Sequence, residues 1–282
     1  MAATYTLPGR CDGLTAYRGR LLASVNEDNN SSLFVITPGE AAPAHFTYSP
    51  NPADTGSDGT NGGTDSISVG TDGTIYVAHS NPDLTLPPPA NPAAVFTMTL
   101  RGATAFLTPL FGINDTAEVA NPAPGGPIFA PLGLTDPDSN RFVPDLRGGT
   151  LIHVAQADSK LVLASHLHRS GPDLRQLNLT NADQPTGSAV TPQLDDVVEV
   201  NGSGTLFAVD QKGGNVYAID TRGVARGTFF AAQPAPGSGD LPNTAALAVV
   251  DLRNGVVTPV DFHLVSPKGL LFVPALFPVI GR

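Results

Sequence analysis

A short unit recurs along this chain. An aspartate opens an alternating apolar stretch, a glycine turns it, and a second, more apolar stretch follows. Residues 65–80 read D-S-I-S-V-G-T-D-G-T-I-Y-V-A-H-S, and residues 196–211 read D-V-V-E-V-N-G-S-G-T-L-F-A-V-D-Q. They align without a gap through Asp65 and Asp196, Val69 and Val200, Gly73 and Gly204. A third copy, 261–274, follows the same frame through Asp261, Val265, Gly269 and Val273. Residues 12–27 fit with one residue fewer in the turn, and 150–168 form a weaker copy with Thr150 in the aspartate's place. Alternation at period two, rich in β-branched and aromatic residues, is the pattern of half-buried strands. A repeated unit that cannot bury both faces alone must stack on its neighbours.

Further strand-like runs follow several copies, at 31–36, 93–100 and 215–220. Four antiparallel strands per unit, repeated radially, make a propeller blade. The expectation is therefore an all-β chain, a single β-propeller of five or six four-stranded blades spanning 1–282. Residues 111–147, with P-A-P-G-G-P and D-P-D-S-N, read as a long loop insertion or an irregular blade. The last unit has little chain after it, so T-Y-T-L at 4–7 is expected to supply its outer strand and close the ring.

Composition limits the partners. The formal charge is −10, and the only lysines are Lys160, Lys212 and Lys268. Nucleic acid and anionic membrane surfaces need a basic face and are not expected partners. A small-molecule ligand or a cation suits the charge better. No apolar run reaches the length of a membrane span. The first residues carry neither a basic region nor an apolar core of a secretory signal. The low lysine content, with abundant Thr, Asn, Gly and Pro, leans towards an extracytoplasmic protein. A lone cysteine, Cys11, excludes an intrachain disulfide and reads as a small buried residue.

The pattern D-x-[IV]-x-V-x-x-x-G-x-[IL]-[YF]-V resembles the NHL, YVTN and SMP-30/gluconolactonase-like propellers, over most of the chain and at the level of the fold. In such blades the innermost strand starts, and the second strand ends, at one mouth of the central channel. That geometry would gather Asp12, Asp65, Asp196 and Asp261 with Glu27, His79, His166, His168 and Asp210. His153 would line the channel from an inner strand. Oxygen and imidazole groups converging in this way suit a divalent cation such as Ca, Mg, Mn or Zn. The resemblance implies a metal at Glu27, Asp196 and Asp210, and the strand-start position of Asp65 adds it as a fourth ligand, serving a lactonase- or esterase-like hydrolase or an isomerase. Asp196, Asp210, His79 and His166 would then act in catalysis, and Asp12, Glu27, His168 and His153 in binding.

Two other readings stand beside this one. An aspartate opening each strand can simply accept hydrogen bonds from backbone amides, repeated because the blade is repeated. The Pro-rich loops 82–92 and 111–147 can serve a non-enzymatic scaffold that binds a protein or polymer. The loop 54–65 matches a calcium loop in the spacing of Asp54, Asp58, Gly59 and Asp65, but it has Gly56 at the third position and Asp at the last. The chain contains no nucleophile-elbow, H-E-x-x-H, phosphate-loop or dinucleotide motif, so no nucleotide cofactor is expected.

Overall fold

The computed structural model describes residues 4–26, 31–52, 63–85, 90–169, 171–182, 191–234, 245–261 and 263–275. The described chain is all-β, built from up-and-down meanders of the propeller-blade type. It divides into two compact units, Met1–Gln176 and Leu177–Arg282.

The first unit begins with two four-stranded meanders. One is β1 (Cys11–Tyr17), β2 (Arg20–Val25), β3 (Ser32–Ile36) and β4 (Ala44–Ser49); the other is β5 (Gly63–Val69), β6 (Ile75–Ser80), β7 (Ala93–Arg101) and β8 (Thr104–Gly112). Their outer strands β4 and β8 run parallel and join them into one eight-stranded sheet. A second sheet follows in the order β10-β9-β14-β13-β12-β11, from β9 (Thr116–Val119), β10 (Phe129–Pro131), β11 (Pro137–Val143), β12 (Thr150–Ala155), β13 (Lys160–Ser165) and β14 (Asp173–Asn178).

The middle strands of the meanders are buried on both faces, which explains their near-continuous apolar sequences. In β6 the sequence I-Y-V-A-H-S is buried throughout. Alternation sends Ile75 and Val77 into a cluster with Leu22, Leu33 and Phe96, while Tyr76 enters a second cluster with Val95, Phe111 and Leu151. Each such side chain contributes about 1.5–3 kcal/mol on burial. These two clusters hold neighbouring meanders together.

The second unit holds β15 (Thr180–Asn181), β16 (Asp196–Val200), β17 (Gly204–Asp210), β18 (Asn215–Asp220), β19 (Thr228–Gln233), β20 (Ala246–Asp251), β21 (Val256–Asp261) and β22 (Pro267–Pro274). They form a five-stranded sheet, β15-β21-β20-β19-β16, and a three-stranded sheet, β18-β17-β22. Val198, Val200 and Phe230 from one sheet pack on Leu206, Ala208 and Leu270 from the other.

The hairpin at each repeat holds for three copies, β1–β2, β5–β6 and β12–β13. The 196–211 copy differs: β16 pairs with β19, and β17 pairs with β18 and β22. At 261–274, Asp261 ends β21 and, among the described residues, one strand, β22, follows. The repeated residues encode strand and turn locally, whereas partner choice depends on distant segments. Residues 111–147 carry β9, β10 and β11. Residues 4–7 lie outside any strand, and pairing starts at Cys11.

The first strands of the meanders meet along a polar seam. The Ser24 hydroxyl donates to the carbonyl oxygens of Gly13, at 3.4 Å, and of Asp65. Ser66 Oγ accepts from the Asn140 amide at 2.6 Å and approaches the Asp138 carbonyl at 3.4 Å. The β1–β5 contact needs a glycine: a Cβ at Gly13 would strike the Asp65 carbonyl oxygen and come within 2.9 Å of Ser66 Cα. Gly13→Ala is accordingly expected to cost about 1–3 kcal/mol in urea unfolding. Gly171→Ala, where nothing lies within 4 Å of the added methyl, should stay within about 0.5 kcal/mol of wild type.

Candidate functional site

Asp12 and Asp65 both fall in β-bulges at the start of a first strand, between Cys11 and Gly13 and between Thr64 and Ile67. A third bulge, between Pro137 and Asn140, holds Asp138 at the start of β11. A bulge places an extra residue on one strand and redirects its side chains. Asp138, not Thr150, is therefore the counterpart of Asp12 and Asp65, and β12 is the second strand of its sheet. Its signal, D-S-N-R-F-V, was present in the sequence but lay among prolines that read as loop. The Asp12 carboxylate pairs with Arg10 Nε at 2.8 Å. Glu27 and Asp54, Asp58 and Gly59 of the calcium-like loop lie outside the described residues.

In the second unit, Asp196 and Asp210 are bound to backbone. Asp196 Oδ1 accepts from the Val197 amide at 2.7 Å and Oδ2 from the Leu270 amide at 2.8 Å. Asp210 is 1% exposed. Its Oδ1 accepts from Ser266 N at 2.7 Å and Gly213 N at 3.2 Å, and its Oδ2 from Val265 N at 3.0 Å. Burial alone would raise the Asp210 pKa, but the amides of Val265, Ser266 and Gly213 outweigh it and hold the carboxyl below its usual range. The neighbouring Asp195 carries an ion pair with Lys268. These carboxylates fasten β22 and its preceding loop to β16 and β17, a structural use that competes with metal ligation. Among the described residues, no three His, Cys, Asp or Glu side chains converge on a point that could hold a metal ion. Asp65, Asp196 and Asp210, three of the residues expected to hold a cation, form no such group among the described residues.

The buried histidines are also engaged or enclosed. His79 on β6 points Nδ1 at the Ala93 carbonyl, 2.7 Å away, and Nε2 at the Pro52 carbonyl, 3.0 Å away. Both in-plane directions of the ring meet acceptors, so no lone pair is presented to a metal or a proton. His153 on β12 is fully buried, edge-on to Phe111 at 5.9 Å, and neither ring nitrogen has a hydrogen-bond partner among the described residues. Burial pushes its pKa down to about 3. It is a neutral ring within the first unit's interior.

His166 and His168 leave the strand altogether. They lie in the turn after β13, and His166 adopts a left-handed backbone, φ 54°. Because β11 comes first in this sheet, the end of β13 meets the β5–β6 turn. His168 Nε2 lies 3.8 Å from Asp72 Oδ2, and His166 Nδ1 is 2.6 Å from Asp173 Oδ2. The Thr74 hydroxyl and amide, aided by His168, hold Asp72 below the usual carboxylate range. Arg18 stacks on Tyr17, 5.1 Å from ring centroid, with its guanidinium beside Gly73. One edge of the first unit thus gathers two imidazoles, two carboxylates and a guanidinium, all accessible to solvent. Cys11 is exposed rather than buried; burial of its thiol in part, and the adjacent Asp12, raise its pKa and make it a poor nucleophile.

No protein-family model and no curated protein matches this chain. Solved structures similar to it include a Pseudomonas aeruginosa periplasmic gluconolactonase, with a TM-score of 0.41 and 15% identity over 90% of this chain and 70% of that one. A 6-phosphogluconolactonase candidate from Bacteroides uniformis gives 0.40 and 11% over 92% and 73%. The virginiamycin B lyase of Staphylococcus aureus gives 0.31 and 11% over 95% and 85%. Among the described residues no helix is long and apolar enough to cross a membrane.

Two consequences can be measured. An unfolded histidine titrates near 6.5, whereas His153 stays neutral in the fold down to about 3. The unfolded state therefore binds the extra proton, and stability falls as pH drops through that window by up to about 1.4 kcal/mol per pH unit. His153→Leu should remove this component, so wild-type and variant urea midpoints should diverge between pH 6.5 and 4; parallel curves would contradict the assignment. Asp210→Asn exchanges one acceptor oxygen for an NH2 facing backbone amides. It should destabilise the protein by roughly 2–4 kcal/mol in the same assay.

Proposed function

We propose that this protein binds a small molecule and hydrolyses a lactone- or ester-like bond without a metal, using His166 as general base. The supporting observation is the 2.6 Å contact between His166 Nδ1 and Asp173 Oδ2 on a ring whose side chain is 49% exposed. A carboxylate on Nδ1 sets the tautomer and orients the imidazole, leaving Nε2 to face a substrate. Among the described residues His166 makes no second hydrogen bond, in contrast to His79.

In this scheme His166 Nε2 takes a proton from water as the oxygen attacks the acyl carbon. The C–O bond to the leaving oxygen then breaks, and the imidazolium returns the proton to that oxygen. Lactone and water give a hydroxy acid, with no other reactant. Asp173 is a positioning residue that stabilises the imidazolium, and Arg18 brings positive charge to the same edge for the developing oxyanion. The lysine-poor composition favours an extracytoplasmic setting for this activity.

A panel of aldonolactones and aryl esters tests the reading. His166→Ala is expected to reduce kcat/KM by about 10²–10⁴-fold. Asp173→Asn should lower kcat more than it raises KM and shift the pH profile, while EDTA leaves wild-type turnover intact. Turnover that survives His166→Ala, or that stops with EDTA, would refute the metal-free scheme. Absence of turnover across the panel with a partner captured by the Pro-rich loops would favour the scaffold instead.

A further inference from the structure

We propose that Asn201 is a site of spontaneous deamidation, where the Asn201–Gly202 step converts to aspartate and isoaspartate in the folded protein. The inference concerns the second unit and does not rest on the hydrolase reading. Asn–Gly steps occur at 61–62, 201–202 and 254–255. The first lies outside the described residues, and the other two differ in how they are held.

The chemistry sets what such a step needs. Hydroxide takes the amide proton of the glycine, and its nitrogen attacks the asparagine Cγ to form a C–N bond. The C–NH2 bond breaks, and ammonia leaves with a proton drawn from water, which regenerates the hydroxide. Water then opens the cyclic imide at one of its two carbonyls, giving aspartate or isoaspartate. Glycine suits this because no Cβ crowds the approach of its backbone. A hydrogen bond made by the attacking N–H or by the carboxamide has to break before the attack.

At 254–255 both groups are engaged. Gly255 N donates to the Asp251 carbonyl at 2.8 Å, and Asn254 Oδ1 accepts from Val256 N at 3.0 Å. At 201–202, among the described residues, neither the Gly202 amide nor the Asn201 carboxamide makes a hydrogen bond. Both residues are half-buried, within reach of water. The loop is nevertheless held, through its carbonyls. Gly202 O accepts from Thr221 Oγ1 at 3.1 Å, Ser203 O from Ala275 N at 2.9 Å, and Gly204 O from Thr221 N at 3.1 Å. Anchored carbonyls thus leave a free amide and a free carboxamide on adjacent residues.

The product acts where the two sheets of this unit are joined. Residues 201–203 link β16, in the five-stranded sheet, to β17, in the three-stranded one. Isoaspartate adds one methylene to the main chain there, with a carboxylate beside it. A Cβ at Gly204 would strike the Val273 carbonyl oxygen, so the start of β17 is packed tightly on β22. The extra length falls on the bonds from Thr221 and Ala275, and the folded state is weakened.

Folded full-length protein is incubated at mildly alkaline pH in water enriched in heavy oxygen, and its proteolytic peptides are followed by mass spectrometry. Asn201 is expected to convert at least about tenfold faster than Asn254, a barrier difference of ~1.4 kcal/mol reflecting the two bonds at 254–255. In urea both steps become the same exposed dipeptide, so the ratio should fall towards unity. Asn201→Gln sets the carboxamide one methylene further from the nitrogen. It should stop conversion at this position and leave the urea midpoint of fresh protein unchanged. Aged wild type should lose more of its urea midpoint than the aged variant. Equal rates at the two steps in the folded protein, a ratio that urea leaves unchanged, or equal losses on ageing would each overturn the proposal.

Discussion

The first unit depends on how closely its first strands approach one another. Where β1 meets β5, Gly13 has no side chain, and the Ser24 hydroxyl bridges the carbonyls of Gly13 and Asp65. Where β5 meets β11, Ser66 and Asn140 make the corresponding link. Each junction coincides with a bulge, which leaves backbone groups outside the regular ladder. Such groups require partners when buried. The serines supply them, and this allows apolar clusters to close on either side of β6. Packing supplies most of the stabilisation, but it can operate only if the polar seam beneath it is satisfied.

The second unit solves a related problem with charge. The loop before β22 turns its Val265 and Ser266 amides towards β17. Asp210 and Asp196 accept from Val265, Ser266 and Leu270 in that segment. A buried carboxylate is costly unless several donors surround it, and removing it strands every one of those donors. The direction of the Asp210 shift shows which effect prevails: burial opposes ionisation, and three amides overcome it. An aspartate used in this way has little coordination capacity left for a cation. A repeated acid can thus serve the backbone, as Asp196 does at the start of β16 and Asp210 at the end of β17, without implying a shared ligand.

This explains which parts of the molecule could be read from the residues. Alternation and glycine turns marked most strands, because these properties are local. Val77 and Tyr76 facing opposite clusters follow from period two alone. Pairing partners were less legible: nothing between Val200 and Gly204 distinguishes a hairpin from a crossing between two sheets. The phase of the third meander was hidden for a different reason. Asp138 opens β11 within a proline-rich stretch, so the repeat aligns on Thr150 instead, which places His166 and His168 at the end of a second strand, whereas the β13 they follow is the third strand of its sheet. Shifting the frame by one strand moves both imidazoles to the turn that holds Asp72, a pairing invisible without β11. The acids and histidines stand out in the sequence, but the partners of Asp196, Asp210 and His79 are backbone groups, which sequence spacing does not display.

The resulting division between interior and edge bears on where chemistry can occur. His79 and His153 are buried, one facing two carbonyls and the other enclosed against Phe111. A ring in either environment exchanges protons slowly with a substrate because it must first be exposed. The β13–β14 turn imposes no such barrier. Its left-handed residue is His166, a conformation disfavoured for a side chain with a Cβ, and the bond to Asp173 helps to hold it there. The rigid seam supports that edge from below: β5 carries the Asp72 turn, and β5 is tied through Ser66 to β11 in the same sheet as β13. The polar junctions that make the fold possible thereby also set the spacing of the two imidazole–carboxylate pairs.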